Sequence, residues 1–193
     1  MFGNIDLRCS AKNSEASILP SIKPNPINLG SIDLAKFVTE DATGIHWDKL
    51  KKSTRTAVHF LDNTIDANKY AIPEIKKANK LSRKIGLGVM GIGDLLYEMR
   101  LPYDTDSGRK FIEKIMQFVE YHSKLESIAL AKVRGKLPYF NKSFYKDGKL
   151  PVSGFELKDE WDFDWNQVSL DIKNYGIRNS YTTVIAPTGS ISM

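Results

Sequence analysis

Apolar residues recur with a helical period over most of this chain, and the places where that period breaks mark its elements. Between His46 and Ala78, Leu50, Ala57, Leu61 and Ile65 follow one another at spacings of seven, four and four, and Val58, Phe60 and Thr64 widen the stripe. This predicts a mainly helical segment that buries most of its surface. Tyr70-Ala71-Ile72-Pro73 interrupts it, and Pro73 suits the first turn of a second helix over Glu74 to Leu81. A turn at Pro102 and Asp104 to Ser107 precedes a long amphipathic helix capped by Asp106 or Ser107 and running through Lys132. Phe111, Ile115, Phe118, Val119, His122, Leu125, Ile128 and Ala129 fall on its core face, with Lys110, Glu113, Lys114 and Lys124 on a solvated back. Gly135 and Pro138 end it. Phe140 to Asp159 reads as a loop with aromatic anchors, and Trp161, Trp165 and Val168 to Tyr175 as a last helix closed at Gly176.

Four stretches do not follow the helical period. Residues Met1 to Asn25 are polar and irregular, with Pro20 and Pro24 among them and Pro26 just after, and read as a loop or leader. Asn28 to Val38 changes character: Gly30 permits a close backbone approach, and Ser31 or Asp33 is placed to cap the next element. Gly86, Gly88, Gly91 and Gly93 punctuate an apolar run. With no clean strand before them, they point to close packing of small residues or, less specifically, to a dinucleotide loop. Finally Thr182 to Ala186 is a β-branched run expected to form a buried strand, opening into Pro187-Thr188-Gly189-Ser190-Ile191-Ser192. A strand that ends in such a turn is either an ordinary helix cap or an anion site, with backbone N–H groups and small hydroxyls as donors. A cap at the very end of the chain, without a helix body, reads as a truncation at Met193.

Composition narrows the class. A hydrophobic fraction of 41% with 26% charged residues over 193 positions is that of a globular domain. The net charge of +5 favours anionic partners, but the basic residues are dispersed, which weakens a nucleic-acid reading and leaves nucleotides open. The single cysteine, Cys9, excludes an internal disulfide and a multi-cysteine metal site, and His46, His59 and His122 are too scattered to suggest metal ligation. No run approaches a membrane span and no secretory leader is visible, so the expected location is cytoplasmic.

Taken in order, Asn28-Leu29-Gly30-Ser31-Ile32-Asp33-Leu34, Leu61-Asp62-Asn63 through Asn68-Lys69-Tyr70 with Arg83-Lys84-Ile85-Gly86-Leu87-Gly88-Val89-Met90-Gly91, and Tyr175-Gly176-Ile177-Arg178-Asn179-Ser180 through Ala186-Pro187-Thr188-Gly189-Ser190-Ile191-Ser192 resemble the catalytic subunit of ribonucleotide reductase, most closely its adenosylcobalamin-dependent branch. The resemblance implies an α/β fold, a mostly helical slice of a ten-stranded α/β barrel with a few strands. A divergent leader over residues 1–27 would precede a partial barrel domain over 28–193. It implies radical reduction of ribonucleotides to deoxyribonucleotides, supplying DNA replication, with adenosylcobalamin as cofactor. The implied partners are the ribonucleotide and the remaining segments of the reductase, with an oligomer left open and neither nucleic acid nor membrane involved. Pro187, Thr188, Gly189, Ser190, Ile191 and Ser192 resemble the loop that receives the substrate's phosphates, and Asn28, Gly30 and Ser31 a strand bordering the same pocket.

The departures are as specific as the matches. The family carries a radical cysteine in an Asn-x-Cys-x-Glu setting, with the glutamate as general base, and a second redox cysteine directly before Asn-Leu-Gly. If Glu15 matches that glutamate, Asn13 stands at the radical position, and Ile27 stands where the second cysteine belongs. Cys9 fits neither place. The alternative to an enzyme segment is therefore a non-catalytic relic or assembly module of the same fold.

Overall fold

The computed structural model describes residues 27–150, 162–189 and 191. Its elements are β1 (Asn28–Asp33), a 3-10 turn (Leu34–Phe37), α1 (Trp47–Ala67), α2 (Pro73–Ser82), β2 (Ile85–Met90), α3 (Ile92–Glu98), α4 (Asp106–Arg134), two 3-10 turns (Phe140–Lys142 and Phe144–Asp147) and α5 (Trp165–Tyr175). The architecture is mostly helical around a small parallel sheet in which β1 pairs with β2. Among the described residues the two strands are short of a ten-stranded barrel and form one β-α-β crossover with helices packed on it.

The glycine run corrects the sequence reading. Ile85 to Met90 is itself a strand, with Ile85, Leu87 and Val89 buried on the helix side and glycines at the alternate positions. Period-two alternation is present in the sequence, but glycine in place of a polar residue conceals it. Gly86 is required by its neighbours. A Cβ there would lie 2.7 Å from both Leu29 Cδ2 and Val184 Cγ1, so the side chains of the flanking runs lean across the gap. The predicted strand over Thr182 to Ala186 shrinks to a single parallel bridge, Leu87 to Thr183.

α1 buries one stripe, Leu50, Thr54, Val58, Leu61, Asp62 and Ile65, against the sheet and α4. Phe60, expected to widen that stripe, is 64% exposed on the far side. Pro73 opens α2 as expected. At the start of α4 the Thr105 side chain accepts from the Gly108 N–H and so takes the capping role expected of Asp106 or Ser107. Asp33 precedes the first 3-10 turn, but its side chain makes no capping bond. Gly135 closes α4, and Gly176 closes α5. A second cluster of Ile128, Leu137, Phe140, Tyr145, Leu150, Trp165, Val168, Ile172 and Ile177 fixes α5 and the aromatic loop against α4. Lys124 departs from the predicted solvated back and is buried.

His122 sits on the core face of α4 as expected, edge-on to Phe118 at 4.3 Å and Tyr121 at 5.3 Å between ring centroids. Burial, with the nearby charges of Lys51 and Arg55, pushes its imidazole down to about 4. The folded chain therefore holds it neutral while the unfolded chain, near 6.5, takes up a proton first. Stability from this residue is complete above about pH 6.5 and is lost as pH falls toward about 4. We expect a loss of about 2 kcal/mol across that window in urea denaturation, largely absent in His122→Phe. Equal pH dependence of the two proteins would contradict this.

Candidate functional site

Three chain runs lie side by side and parallel. β1 and β2 pair in register from Asn28–Ile85 to Asp33–Met90. The third run accompanies β2 through Ile85 N–H to Tyr181 O (3.1 Å), Leu87 N–H to Thr182 O (2.8 Å) and Val184 N–H to Leu87 O (3.1 Å). Their carboxyl ends are Asp33, Met90 and Ala186, and Pro187-Thr188-Gly189 continues from the last of them. In parallel α/β folds the carboxyl ends of strands are where ligands are received.

Thr188 has φ of 57°, in the left-handed region that a β-branched residue avoids. The left-handed position in this turn is Thr188, beside Gly189. At Gly189 a Cβ would meet nothing within 4 Å. Any need for glycine there comes from what approaches the loop and not from the described residues around it. Pro187 and Gly189 are exposed and Thr188 half-buried, and Ile191 is exposed as well. Ser190, Ser192 and Glu15 lie outside the described residues.

The expected strand residues divide between the two faces of the sheet. Asn28 Nδ2 donates to Thr64 Oγ1 at 2.9 Å. It stands at the opposite end of β1 from the loop, about 16 Å away along five residues of strand. A Cβ at Gly30 would meet the Leu61 side chain at 3.6 Å, so this position also faces α1. Ser31 points the other way. Its Oγ lies 3.1 Å from where a Gly88 Cβ would stand, on the face shared with Leu29, Gly86 and Val184 and not covered by α1. Ile27 reaches the same face, its Cγ2 3.0 Å from a Cβ built at Gly86. Of the predicted strand residues, Ser31 alone shares this open face, whereas Asn28 and Gly30 serve the packing of α1.

At the amino ends of the runs the motif residues meet in a buried ionic network to which sequence reasoning gives no role. Asp62 is fully buried. Its Oδ1 accepts from Arg83 Nη2 (2.7 Å), Arg83 Nε (3.0 Å) and Asn179 Nδ2 (2.9 Å). Its Oδ2 accepts from Arg134 Nη1 (3.2 Å) and faces Arg178 Nε at 3.5 Å. Asn179 also donates to Arg83 O (3.1 Å) and accepts from Ser127 Oγ (2.8 Å). Asp66 accepts from the same Arg83 guanidinium, and that bond holds its carboxyl below the usual range. Burial lowers Arg83 less than its bonds to Asp66 and Asp62 raise it, so the net direction is up. Arg178 goes down, through burial and the charge of Arg83. The network ties α1, the start of β2, the end of α4 and the start of the third run together. A signal for it is in the sequence: a carboxylate between Leu61 and Ile65 on a buried stripe needs partners.

Among the described residues, no three His, Cys, Asp or Glu side chains converge to hold a metal ion, and no helix is long and apolar enough to cross a membrane. A family model described as ribonucleotide reductase, barrel domain, matches residues 22–193. Ribonucleoside-diphosphate reductase subunit alpha of Chlamydia pneumoniae is 36% identical over 199 residues, covering 96% of this chain and 19% of that protein. The vitamin B12-dependent ribonucleoside-diphosphate reductase of Thermoplasma acidophilum is 38% identical over 175 residues, covering 90% of this chain and 19% of its own. The vitamin B12-dependent enzyme of Mycobacterium tuberculosis H37Rv is 32% identical over 175 residues, with 91% and 21% covered. The chain spans about a fifth of the length of these curated relatives. On this match and these identities, the chain belongs to the ribonucleotide reductase barrel-domain family.

Proposed function

We propose that this chain supplies the corner of a ribonucleotide reductase that receives the substrate's phosphates, for an enzyme converting ribonucleoside diphosphates to deoxyribonucleotides by radical chemistry. The observation that carries the reading is the Pro187-Thr188-Gly189 turn, at the carboxyl end of the third parallel run, with Thr188 in the left-handed region. Backbone N–H groups in such a turn suit a phosphate, and the hydroxyls of Thr188, Ser190 and Ser192 add donors without bulk. Ser31 borders the same open face, together with Gly88 and Val184. The diphosphate is taken from the names of the relatives, and the other partners are the remaining segments of the reductase.

Adenosylcobalamin enters through the relatives named vitamin B12-dependent, beside others not so named. Such a cofactor supplies a radical that a cysteine must accept. The described residues contain no cysteine, since Cys9 lies outside them. These residues do not fit the group's chemistry. Ile27 favours a second reading, a non-catalytic module of the same fold. It occupies the place before Asn28-Leu29-Gly30 with a side chain that cannot carry electrons, leaning on the open face beside Gly86.

The phosphate reading is tested by calorimetric titration of cytidine diphosphate. Gly189→Val crowds the approach to the loop backbone and is expected to weaken binding by about tenfold or more, equivalent to ~1.4 kcal/mol. Ser192→Ala, which removes one donor among several, should cost less. Equal affinities in the two variants would remove the loop from the phosphate site.

A further inference from the structure

α4 grips the run that leads into the loop by its side chains. Lys124 is buried, its side chain 2% exposed, and its ammonium donates to Thr182 Oγ1 at 2.8 Å and lies 3.0 Å from Glu120 Oε1. The Thr183 hydroxyl donates to the other oxygen of the same carboxylate, Glu120 Oε2. Ser123 Oγ lies 2.7 Å from Thr182 Oγ1. Two consecutive residues of an ordinary strand face opposite ways. Here both threonines turn to α4, which accounts for the run making one bridge with β2 instead of a ladder.

We infer that Glu120 and Lys124 are positioning residues for the Pro187–Gly189 loop, setting its height at the end of the sheet by gripping Thr182 and Thr183. The inference rests on the reading of that loop as a phosphate site. Burying a lysine is unfavourable, and an apolar side chain of similar length would fill the space at no desolvation cost. What such a side chain lacks is a directional hold on a hydroxyl. Among the described residues the run has one strand neighbour, β2, and that hold adds to its three backbone hydrogen bonds in fixing the register. A slip of one residue would carry the loop about 3.3 Å along the strand direction, enough to spoil its aim at a bound phosphate.

The test compares the wild-type chain with Lys124→Met, Glu120→Gln and Thr182→Val, and with Lys110→Met, on the exposed side of the same helix, as control. Amide hydrogen exchange of Leu87 and Val184, whose N–H groups bond the run and β2 together, is measured beside that of α1, and affinity for cytidine diphosphate beside that for cytidine. Lys124→Met is expected to leave exchange in α1 unchanged. Exchange at Leu87 and Val184 should accelerate about tenfold, and cytidine diphosphate binding should weaken by about as much, with cytidine unaffected. Glu120→Gln, which keeps an acceptor for Thr183, should fall between. Should Lys124→Met fail to fold, Thr182→Val keeps the ion pair, removes the hydroxyl that Lys124 and Ser123 hold, and is expected to loosen the same amides. Wild-type exchange at Leu87 and Val184 in Lys124→Met or in Thr182→Val overturns the positioning role. A wild-type chain that holds its loop but binds cytidine diphosphate no better than cytidine overturns the phosphate reading alone. Positioning is then decided by exchange.

Discussion

Asp62→Ala is expected to destabilise the chain by about 4 kcal/mol, read as a lowered urea midpoint at unchanged slope. The carboxylate is fully buried and takes hydrogen bonds from Arg83, Arg134 and Asn179, with Arg178 beside it. Removing it leaves the Arg83 guanidinium, itself nearly buried, facing Arg178 with only the half-exposed Asp66 between them. Breaking a buried pair from one side costs far more than the pair contributes, because an uncompensated charge stays behind. Asn179 also loses a partner and with it part of its hold on the third run. Arg134→Ala makes the comparison: its side chain is 32% exposed and also bonds Asn63 and His59, so about 1 kcal/mol is expected there. Comparable costs for the two variants, or a loss below about 1 kcal/mol for Asp62→Ala, would show that the network is solvated and weak.

The same residue shows what is legible in the sequence. Leu61, Asp62 and Arg83 are recognisable as motif, as are Arg178 and Asn179, but a motif gives order along the chain and not which atoms meet. Their meeting depends on β1, α1 and β2 forming a crossover, which delivers the end of α1 and the start of β2 to one end of the sheet. Helices are legible because Ile115, Val119, His122 and Ile128 on α4 obey a period that burial enforces. β2 escapes a reading by pattern because Gly86 and Gly88 occupy its second face, where the neighbouring side chains need the room. Lys124 is misplaced for a related reason. Charge argues for solvent unless a partner is known, and Thr182 lies 58 residues further along the chain. At the loop, the sequence identifies the turn residues but not that Thr188 takes the left-handed backbone.

A second large effect concerns chemistry: the purified chain is expected to form no deoxynucleotide from cytidine diphosphate, with or without adenosylcobalamin and a dithiol reductant. Removing a hydrogen from the ribose and then reducing the intermediate by two electrons requires a thiyl radical and a neighbouring dithiol. One cysteine cannot supply both, and Cys9 is the only one in the sequence. At the position before Asn28-Leu29-Gly30, Ile27 presents methyl groups to the open face beside Gly86, where a thiol would be needed. Restoring a single thiol there by Ile27→Cys should therefore leave activity at zero, since, if Glu15 matches the family glutamate, the radical position is Asn13 and still lacks sulfur. A radical residue also acts only when held within near-contact distance of its target atom, which a second substitution alone does not guarantee. Deoxycytidine diphosphate formed by the unmodified chain and abolished by Cys9→Ser would overturn the argument. Turnover that arises only when separately produced remaining segments of a reductase are added would assign the redox sulfurs to those segments. This chain's part in the reaction would then be to hold the substrate.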